Sequence, residues 1–136
     1  MASFVDTNVL VHASAIGDQL KRQVALDILD DASLRMVVSA QVLLEFYWTV
    51  TRKLAPPLEA KEAHDVVRHL SEGEVVPTDA SLVDAAITLA RQHRLALWDA
   101  AIVAAAKRAG CSELLTEDLS HGATIEGVTI RNPFRS

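Results

Sequence analysis

The chain has 136 residues, with 13 Lys and Arg against 18 Asp and Glu and a formal charge of −5, a length typical of one compact domain over residues 1–136. Half of the residues are hydrophobic but only 4% are aromatic, which predicts an aliphatic, alanine-rich core and excludes a disordered chain. Cys111 is the only cysteine, so a disulfide scaffold is excluded and we expect a buried thiol. The longest apolar run, residues 100–106, is far shorter than the roughly 20 residues of a membrane span, and the N-terminus has no basic leader, so we expect a cytoplasmic protein.

Short apolar runs alternate with amphipathic segments along the chain. Runs rich in β-branched residues predict strands, and apolar residues that recur at helical spacing predict helices. In chain order we predict a strand over 3–5, a helix over 18–32, a strand over 36–38, helices over 39–54 and 57–71, a strand over 74–77, helices over 81–93 and 97–108, a strand over 113–115, and a final strand or hairpin over 125–130.

Residues at the helix ends support these boundaries. Ser39 is expected to be an N-cap, and Pro57 fits the first turn of the next helix. Ser81 and Asp84 have the spacing of a capping box. Gly110 follows two basic residues at the end of the last helix, where glycine commonly terminates helices. Strands alternating with helices predict a three-layer α/β/α domain with a mainly parallel central sheet.

Ligands bind such sheets beyond the carboxyl ends of the strands, and two acidic residues, Asp6 and Asp118, follow predicted strands there. Each also fits a turn or cap role. Glu45 lies among apolar residues of its helix, where an unpaired carboxylate is costly, although a narrow solvated stripe is an alternative. Asp99 lies in a first helical turn, which favours its charge, but apolar residues flank it on both sides.

These four carboxylates have no matching set of cations within their apolar segments, so they would repel one another unless a hard divalent metal lay between them. Mg²⁺ and Mn²⁺ prefer oxygen ligands and keep waters that a phosphate can replace. Subtracting four acidic charges from −5 leaves −1, so the pI near 5.4, which argues against a general polyanion binder, does not exclude one nucleic-acid groove. Metal-assisted hydrolysis of a phosphodiester is the predicted reaction.

Four short segments carry these acids. They are Phe4-Val5-Asp6-Thr7-Asn8, Ser39-Ala40-Gln41-Val42-Leu43-Leu44-Glu45, Leu97-Trp98-Asp99-Ala100-Ala101-Ile102 and Leu114-Leu115-Thr116-Glu117-Asp118-Leu119. In this order and spacing, over the whole chain, they resemble the PIN-domain ribonucleases, and most closely the small VapC-type toxins of bacterial toxin–antitoxin pairs. The resemblance implies a PIN-like fold and an endoribonuclease that hydrolyses RNA with a metal-activated water, leaving a 5′-phosphate and a 3′-hydroxyl.

The resemblance also implies roles for individual residues. Asp6 and Asp99 would be the principal ligands of Mg²⁺ or Mn²⁺, and Glu45 and Asp118 would bind the metal or hold its waters. Two polar residues would support the acids, Asn8 by orienting Asp6 and Thr116 as a hydroxyl beside the last acid. Glu117 has no place in the family pattern and is interpreted as a solvated loop charge.

Basic and aromatic residues are candidates for RNA contacts. Lys21, Arg22, Arg52 and Lys53 would bind substrate, although ordinary solvated helix faces also explain them. Tyr47, Trp48 and Trp98 could stack on bases or belong to the core or a dimer contact. The five histidines show no general acid–base pair, so none is predicted to be catalytic, but His12 and His121 would lie nearest the groove.

The resemblance implies a homodimer and a cognate VapB-like antitoxin whose C-terminal segment lies across the groove. An Arg or Lys from that segment would suit four carboxylates. The main alternative is a non-catalytic PIN-like module that binds RNA or protein. A phosphoaspartyl phosphatase is disfavoured because Asn8 stands where its second Asp is needed, and a nucleotide switch because no glycine-rich loop follows the first strand.

Overall fold

The buried apolar runs form one six-stranded sheet in the computed structural model, which describes residues 2–135. The strands are β1 (Ala2–Val5), β2 (Arg35–Ser39), β3 (Glu74–Val76), β4 (Glu113–Leu115), β5 (Thr124–Ile125) and β6 (Val128–Arg131). Their order is β3-β2-β1-β4-β6-β5, and every neighbouring pair is parallel except the β5–β6 hairpin. The prediction of a mainly parallel sheet is confirmed.

Six helices flank the sheet. They are α1 (Thr7–Ser14), α2 (Gln19–Asp30), α3 (Ala40–Arg52), α4 (Ala60–Ser71), α5 (Ala80–His93) and α6 (Leu97–Arg108). One group comprises α1 to α4, in which α1 contacts α2 and α3, and α3 contacts α4; the other comprises α5 and α6. The three-layer α/β/α prediction is confirmed, but α1 was not predicted as a helix.

Two predicted helix starts are wrong. Pro57 precedes α4, whose N-cap is Glu59. The capping box does not form, because Asp79 is the N-cap of α5 and its Oδ1 accepts the Leu82 N–H at 2.9 Å. Ser81 instead accepts a hydrogen bond from Arg108 of α6. The predicted N-cap of α3 is confirmed, since the Ser39 hydroxyl accepts the Val42 N–H.

The alanine-rich helix α6 packs against β2, β4 and β6. All residues from Ala100 to Ala106 are buried, because small side chains let a helix lie close to a sheet. The first two residues of α6, Leu97 and Trp98, are exposed. Cys111 is buried and unpaired, as expected. Among residues 2–135, no helix has both the length and the hydropathy that crossing a bilayer requires.

Candidate active site

The centre of the candidate site lies where the two central strands end. β1 and β4 pair in parallel with Val5 opposite Leu115, so the residues that follow them leave the sheet at the same level. The Asp6 N–H donates to the Leu115 carbonyl at 3.0 Å. Asp6 and Thr116 are therefore brought together although they are 110 positions apart in the chain.

The Thr116 hydroxyl connects the polar residues from both strand ends. It donates to Asp6 Oδ2 at 2.9 Å and accepts from Asn8 Nδ2 at 3.0 Å and from the Asp118 N–H at 3.1 Å. Thr116 is fully buried and Asp6 is 8% exposed. The supporting position predicted for Thr116 therefore has a geometric basis, whereas Asn8 contacts Thr116 and Asp118 rather than Asp6.

Two helices bring the other acids to the same edge of the sheet. α3 starts directly after β2, and Glu45 lies in its second turn. The Gln41 side chain donates to Glu45 Oε1 at 2.8 Å and to the Trp98 carbonyl at 3.4 Å, which links α3 to the first turn of α6, where Asp99 lies. The Thr7 hydroxyl donates to Glu45 Oε2 at 3.1 Å.

The four carboxylates influence one another electrostatically. Burial raises the pKa of Asp6 to about 6, and the charges of Asp118 and Glu45 add to this effect, whereas hydrogen bonds from Thr7 and Thr116 oppose it. Burial, followed by the charges of Asp118 and Glu45, also raises the pKa of Asp99. Within residues 2–135, none of these four carboxylates is within 4.0 Å of a Lys, Arg or His nitrogen.

The four carboxylates are chemically suited to bind a hard cation, but their oxygens are not gathered closely around one point. All four acids offer oxygen, the ligand that Mg²⁺ and Mn²⁺ prefer. However, no group of three or more His, Cys, Asp or Glu side chains in the described chain stands in a metal-holding arrangement. Asp118 is exposed, while Glu45 and Asp99 are half-buried. The fit with a divalent metal thus rests on donor chemistry and uncompensated negative charge.

Some of the apolar residues around Glu45 are buried in the core, and others are on the surface. Leu44, Tyr47 and Trp48 are exposed, so Glu45 does not lie within the core, and the alternative of a partly solvated position is the better description. Trp98, beside Asp99, is 68% exposed. Tyr47, Trp48 and Trp98 are therefore surface residues and do not belong to the core.

Glu117 is not the solvated loop charge that was expected. Its Oε1 lies 2.8 Å from His12 Nε2 and its Oε2 accepts from Lys21 Nζ at 2.8 Å. Burial raises the pKa of Glu117, but the bonds from Lys21 and His12 outweigh burial and leave it below its ordinary value. Sequence reasoning also assigned no role to Thr7 or Gln41, although the i, i+4 spacing of Gln41 and Glu45 could have indicated their bond.

The predicted basic residues do not form one cluster at the acids. Lys21 is bound to Glu117, and Arg22 on the same helix is half-buried, with its Nε buried and lacking a partner among residues 2–135. Arg52 and Lys53 are exposed at the far end of α3, about 10 Å along the axis from Glu45, and Lys53 lies 4.9 Å from the centroid of the Trp48 ring.

The histidines take no direct part in the acidic site. His12 Nε2 lies 2.8 Å from Glu117 Oε1, and His121 Nδ1 accepts the Asn132 N–H at 3.1 Å. In the described part of the chain, no histidine nitrogen is within ion-pair distance of Asp6, Glu45, Asp99 or Asp118.

The parallel sheet with acids at its central strand ends defines a PIN-type fold, and the sequence matches the PIN domain family over residues 3–123. The chain belongs to the PIN domain family. It is similar in structure to VapC20 of Mycobacterium tuberculosis, described as a sarcin–ricin loop cleaving toxin, with a TM-score of 0.70 and 21% identity over 85% of this chain and 91% of that one.

Two other solved structures support the same fold. A toxin–antitoxin complex from Klebsiella pneumoniae has a TM-score of 0.69 and 21% identity, covering 96% of this chain and 97% of that one. FitAcB from Neisseria gonorrhoeae has a TM-score of 0.63 and 22% identity, covering 98% and 99%. No curated protein matches the chain in sequence. The fold is that of the VapC and FitB toxins.

Proposed function

We propose that this protein is a metal-dependent endoribonuclease of the VapC type that is neutralised by a cognate antitoxin. The observation that carries the proposal is the set of four carboxylates at the carboxyl edge of β1 and β4, with no cation paired to them within residues 2–135. Uncompensated negative charge at a buried aspartate is unfavourable, and a divalent cation would relieve it. Membership of a family whose members are typically nucleases adds support.

We assign two roles to the side chains of the site: some bind the metal, and others keep the metal ligands in position. Asp6 and Asp99 are the proposed direct ligands of Mg²⁺ or Mn²⁺, and Glu45 and Asp118 the proposed ligands or holders of its waters. A divalent ion held by these carboxylates would supply two effects, a lower pKa of a coordinated water and stabilisation of the oxygen that leaves phosphorus. Thr116 keeps Asp6 in place by its hydrogen bond.

Two hydrogen bonds orient the Glu45 carboxylate on α3. The Thr7 hydroxyl and the Gln41 amide donate to different oxygens of Glu45, which leaves the carboxylate only limited freedom to rotate. Lone pairs that do not face these donors stay available to the metal or its waters. This arrangement preorganises Glu45 before metal or RNA binds.

The decisive experiment is RNA cleavage by the purified protein in Mg²⁺ or Mn²⁺ against an EDTA control. We expect metal-dependent products with 5′-phosphate ends, and cleavage reduced roughly 100-fold or more in Asp99→Asn, because a charge that stabilises the transition state is lost. Asp84→Asn is the matched control, since Asp84 is an exposed acid on α5. Absence of cleavage across varied RNAs, together with no metal binding by calorimetry, would favour the non-catalytic binding module instead.

An exposed apolar surface beside Glu45 supports the antitoxin as partner. Leu44 is 73% exposed, and it lines a groove of about 430 Å³ with Gln41, Glu45 and Trp98. Contiguous exposed apolar residues that are rimmed by polar groups are typical of protein interaction sites. A peptide that places apolar side chains in the groove and an Arg or Lys at the acids would complement both features.

Replacing Leu44 with glutamine is expected to weaken antitoxin binding by about 10-fold, because an exposed apolar anchor is lost. Its exposure means that folding and RNA cleavage should be unchanged. Ile87→Gln, on the exposed face of α5, is the control. Growth under co-expression of the antitoxin, with calorimetry on the purified pair, measures the effect. Normal neutralisation combined with loss of a dimer in sedimentation would instead assign the surface to a second copy of the chain.

A further inference from the structure

Glu117 stands between Thr116 and Asp118 but points away from the acids, toward two helices. Each of its carboxylate oxygens has its own partner, His12 on α1 for Oε1 and Lys21 on α2 for Oε2, both at 2.8 Å. The side chain is only 24% exposed. A loop carboxylate with both oxygens committed to different helices fixes the loop that bears it.

A residue of the C-terminal segment, Phe134, packs against both partners of Glu117. The Phe134 ring makes an edge contact with the His12 ring at a centroid distance of 4.7 Å, and Lys21 Nζ lies 5.6 Å from the Phe134 centroid. The ring therefore lies against both partners of Glu117, in edge contact with His12 and within cation–π distance of Lys21. We name these four residues, His12, Lys21, Glu117 and Phe134, the Glu117 clamp.

The loop is also attached on both sides of Glu117. The Thr116 N–H donates to the Arg131 carbonyl at 3.1 Å, and Leu119 packs against the core. The Glu117 N–H donates to Asn8 Oδ1 at 3.3 Å, and the Asp118 N–H donates to the Thr116 hydroxyl. The exposed Asp118 side chain accepts one bond, from Asn8. Long or single hydrogen bonds of this kind hold an exposed loop weakly. The clamp is thus the attachment through which the loop is held to both helices α1 and α2.

We propose that Glu117 is a positioning residue, held by His12 and Lys21, with Phe134 packed against both, that fixes the loop so that Asp118 meets the other acids. This inference rests on the proposed metal-dependent nuclease function. It changes the role expected of Lys21, which is committed to the loop instead of to an RNA phosphate, and it gives the C-terminal segment a part in the site.

The test uses Lys21→Met, which removes one partner without altering the loop sequence. We expect Mn²⁺ affinity measured by calorimetry without RNA to fall about 10-fold, as is usual when a group that orients a ligand is lost. We also expect the Glu117 and Asp118 amide protons to exchange several-fold faster, while the Asp6 amide, bonded within the sheet edge, stays protected. Lys61→Met, at an exposed lysine of α4, is the matched control.

Kinetics separate positioning from substrate binding. For a positioning role, we expect Lys21→Met to lower kcat with little change in KM. Lys21→Met combined with Glu117→Gln should then be no worse than Glu117→Gln alone, because Glu117→Gln already weakens the contacts to both His12 and Lys21. If Lys21 instead bound an RNA phosphate, Lys21→Met would raise KM and would lower the number of ions released on RNA binding by about one. Its effect would then add to that of Glu117→Gln.

Different measurements test the positioning role of Glu117 and the nuclease function. Hydrogen exchange in the absence of metal and RNA tests the clamp by itself, and Phe134→Ala supplies a second variant in case Lys21→Met does not fold. Unchanged exchange at residues 117 and 118 and unchanged Mn²⁺ affinity in both variants would overturn the clamp. A wild type that neither binds Mn²⁺ nor cleaves RNA would overturn the proposed function.

Discussion

Asp6→Asn is expected to remove RNA cleavage and, at the same time, to make the metal-free protein more stable at neutral pH. Asp6 is buried beside two strand ends, and its pKa is raised to about 6, above the ordinary 3.8, by burial and by the charges of Asp118 and Glu45. A shift of about two units corresponds to roughly 3 kcal/mol at 1.4 kcal/mol per unit. Losing the hydrogen bond from Thr116 offsets part of this, so we expect a net gain of about 1–2 kcal/mol.

The sign of the pH dependence follows from the direction of this shift. Between about pH 4 and pH 6 the folded state holds a proton on Asp6 that the unfolded state has lost, so the contribution of Asp6 to the free energy of unfolding falls as pH rises. Above about pH 6 Asp6 is ionised in both states, and the full cost of burying its charge lowers the free energy of unfolding. The advantage of Asp6→Asn should therefore be small near pH 4, grow to about pH 6 and stay constant above it.

Chemical unfolding of both proteins in EDTA at pH 4.5 and pH 7.5 measures this difference. Asp84→Asn, which removes an exposed acid from α5, controls for net charge. Saturating Mg²⁺ should reverse the order at pH 7.5, because binding to the folded state stabilises only a protein that keeps the metal site. A variant less stable than the wild type at pH 7.5 without metal would mean that the Asp6 carboxylate is already compensated.

Local sequence signals predicted the strand ends and the acids that follow them, because a strand, its closing turn and its N-cap are decided within a few residues. Asp6 after β1 and Ser39 before α3 are examples. The helix α1 was missed because it is short and contains Val9 and Val11, β-branched side chains that favour strands. Its helical state is set by burial of Val9 and Leu10 against the fold.

Two features of the site could not be read from the sequence. Glu117 lies 105 positions from His12 and 96 from Lys21, so its environment exists only after the chain has folded. The apolar run around Glu45 could not show which face of α3 is covered, since periodicity gives a stripe but not its partner. The exposure of Leu44 resolves this, because it leaves an apolar side chain beside Glu45 on a surface available to a partner.

Thr116→Val is expected to destabilise the protein by about 2–4 kcal/mol and to impair the site, because it deletes the hydroxyl that joins both strand ends while keeping the shape of the side chain. The buried Asp6 carboxylate loses a donor, which raises its pKa further, and the Asp118 N–H loses its acceptor.

Thr116→Ser separates the hydroxyl from the packing of its methyl group. Serine restores the three hydrogen bonds and gives up one buried methyl, a loss of about 1 kcal/mol. Urea unfolding at pH 7.5, followed by calorimetry with Mn²⁺, should place serine close to the wild type and valine far below it in both stability and metal affinity. If serine were impaired and valine stayed close to the wild type, the methyl contact would be the important one. Because this one hydroxyl bonds to Asp6, Asn8 and the Asp118 backbone, its loss should disturb acids from both strand ends together, an effect that no substitution of a single carboxylate reproduces.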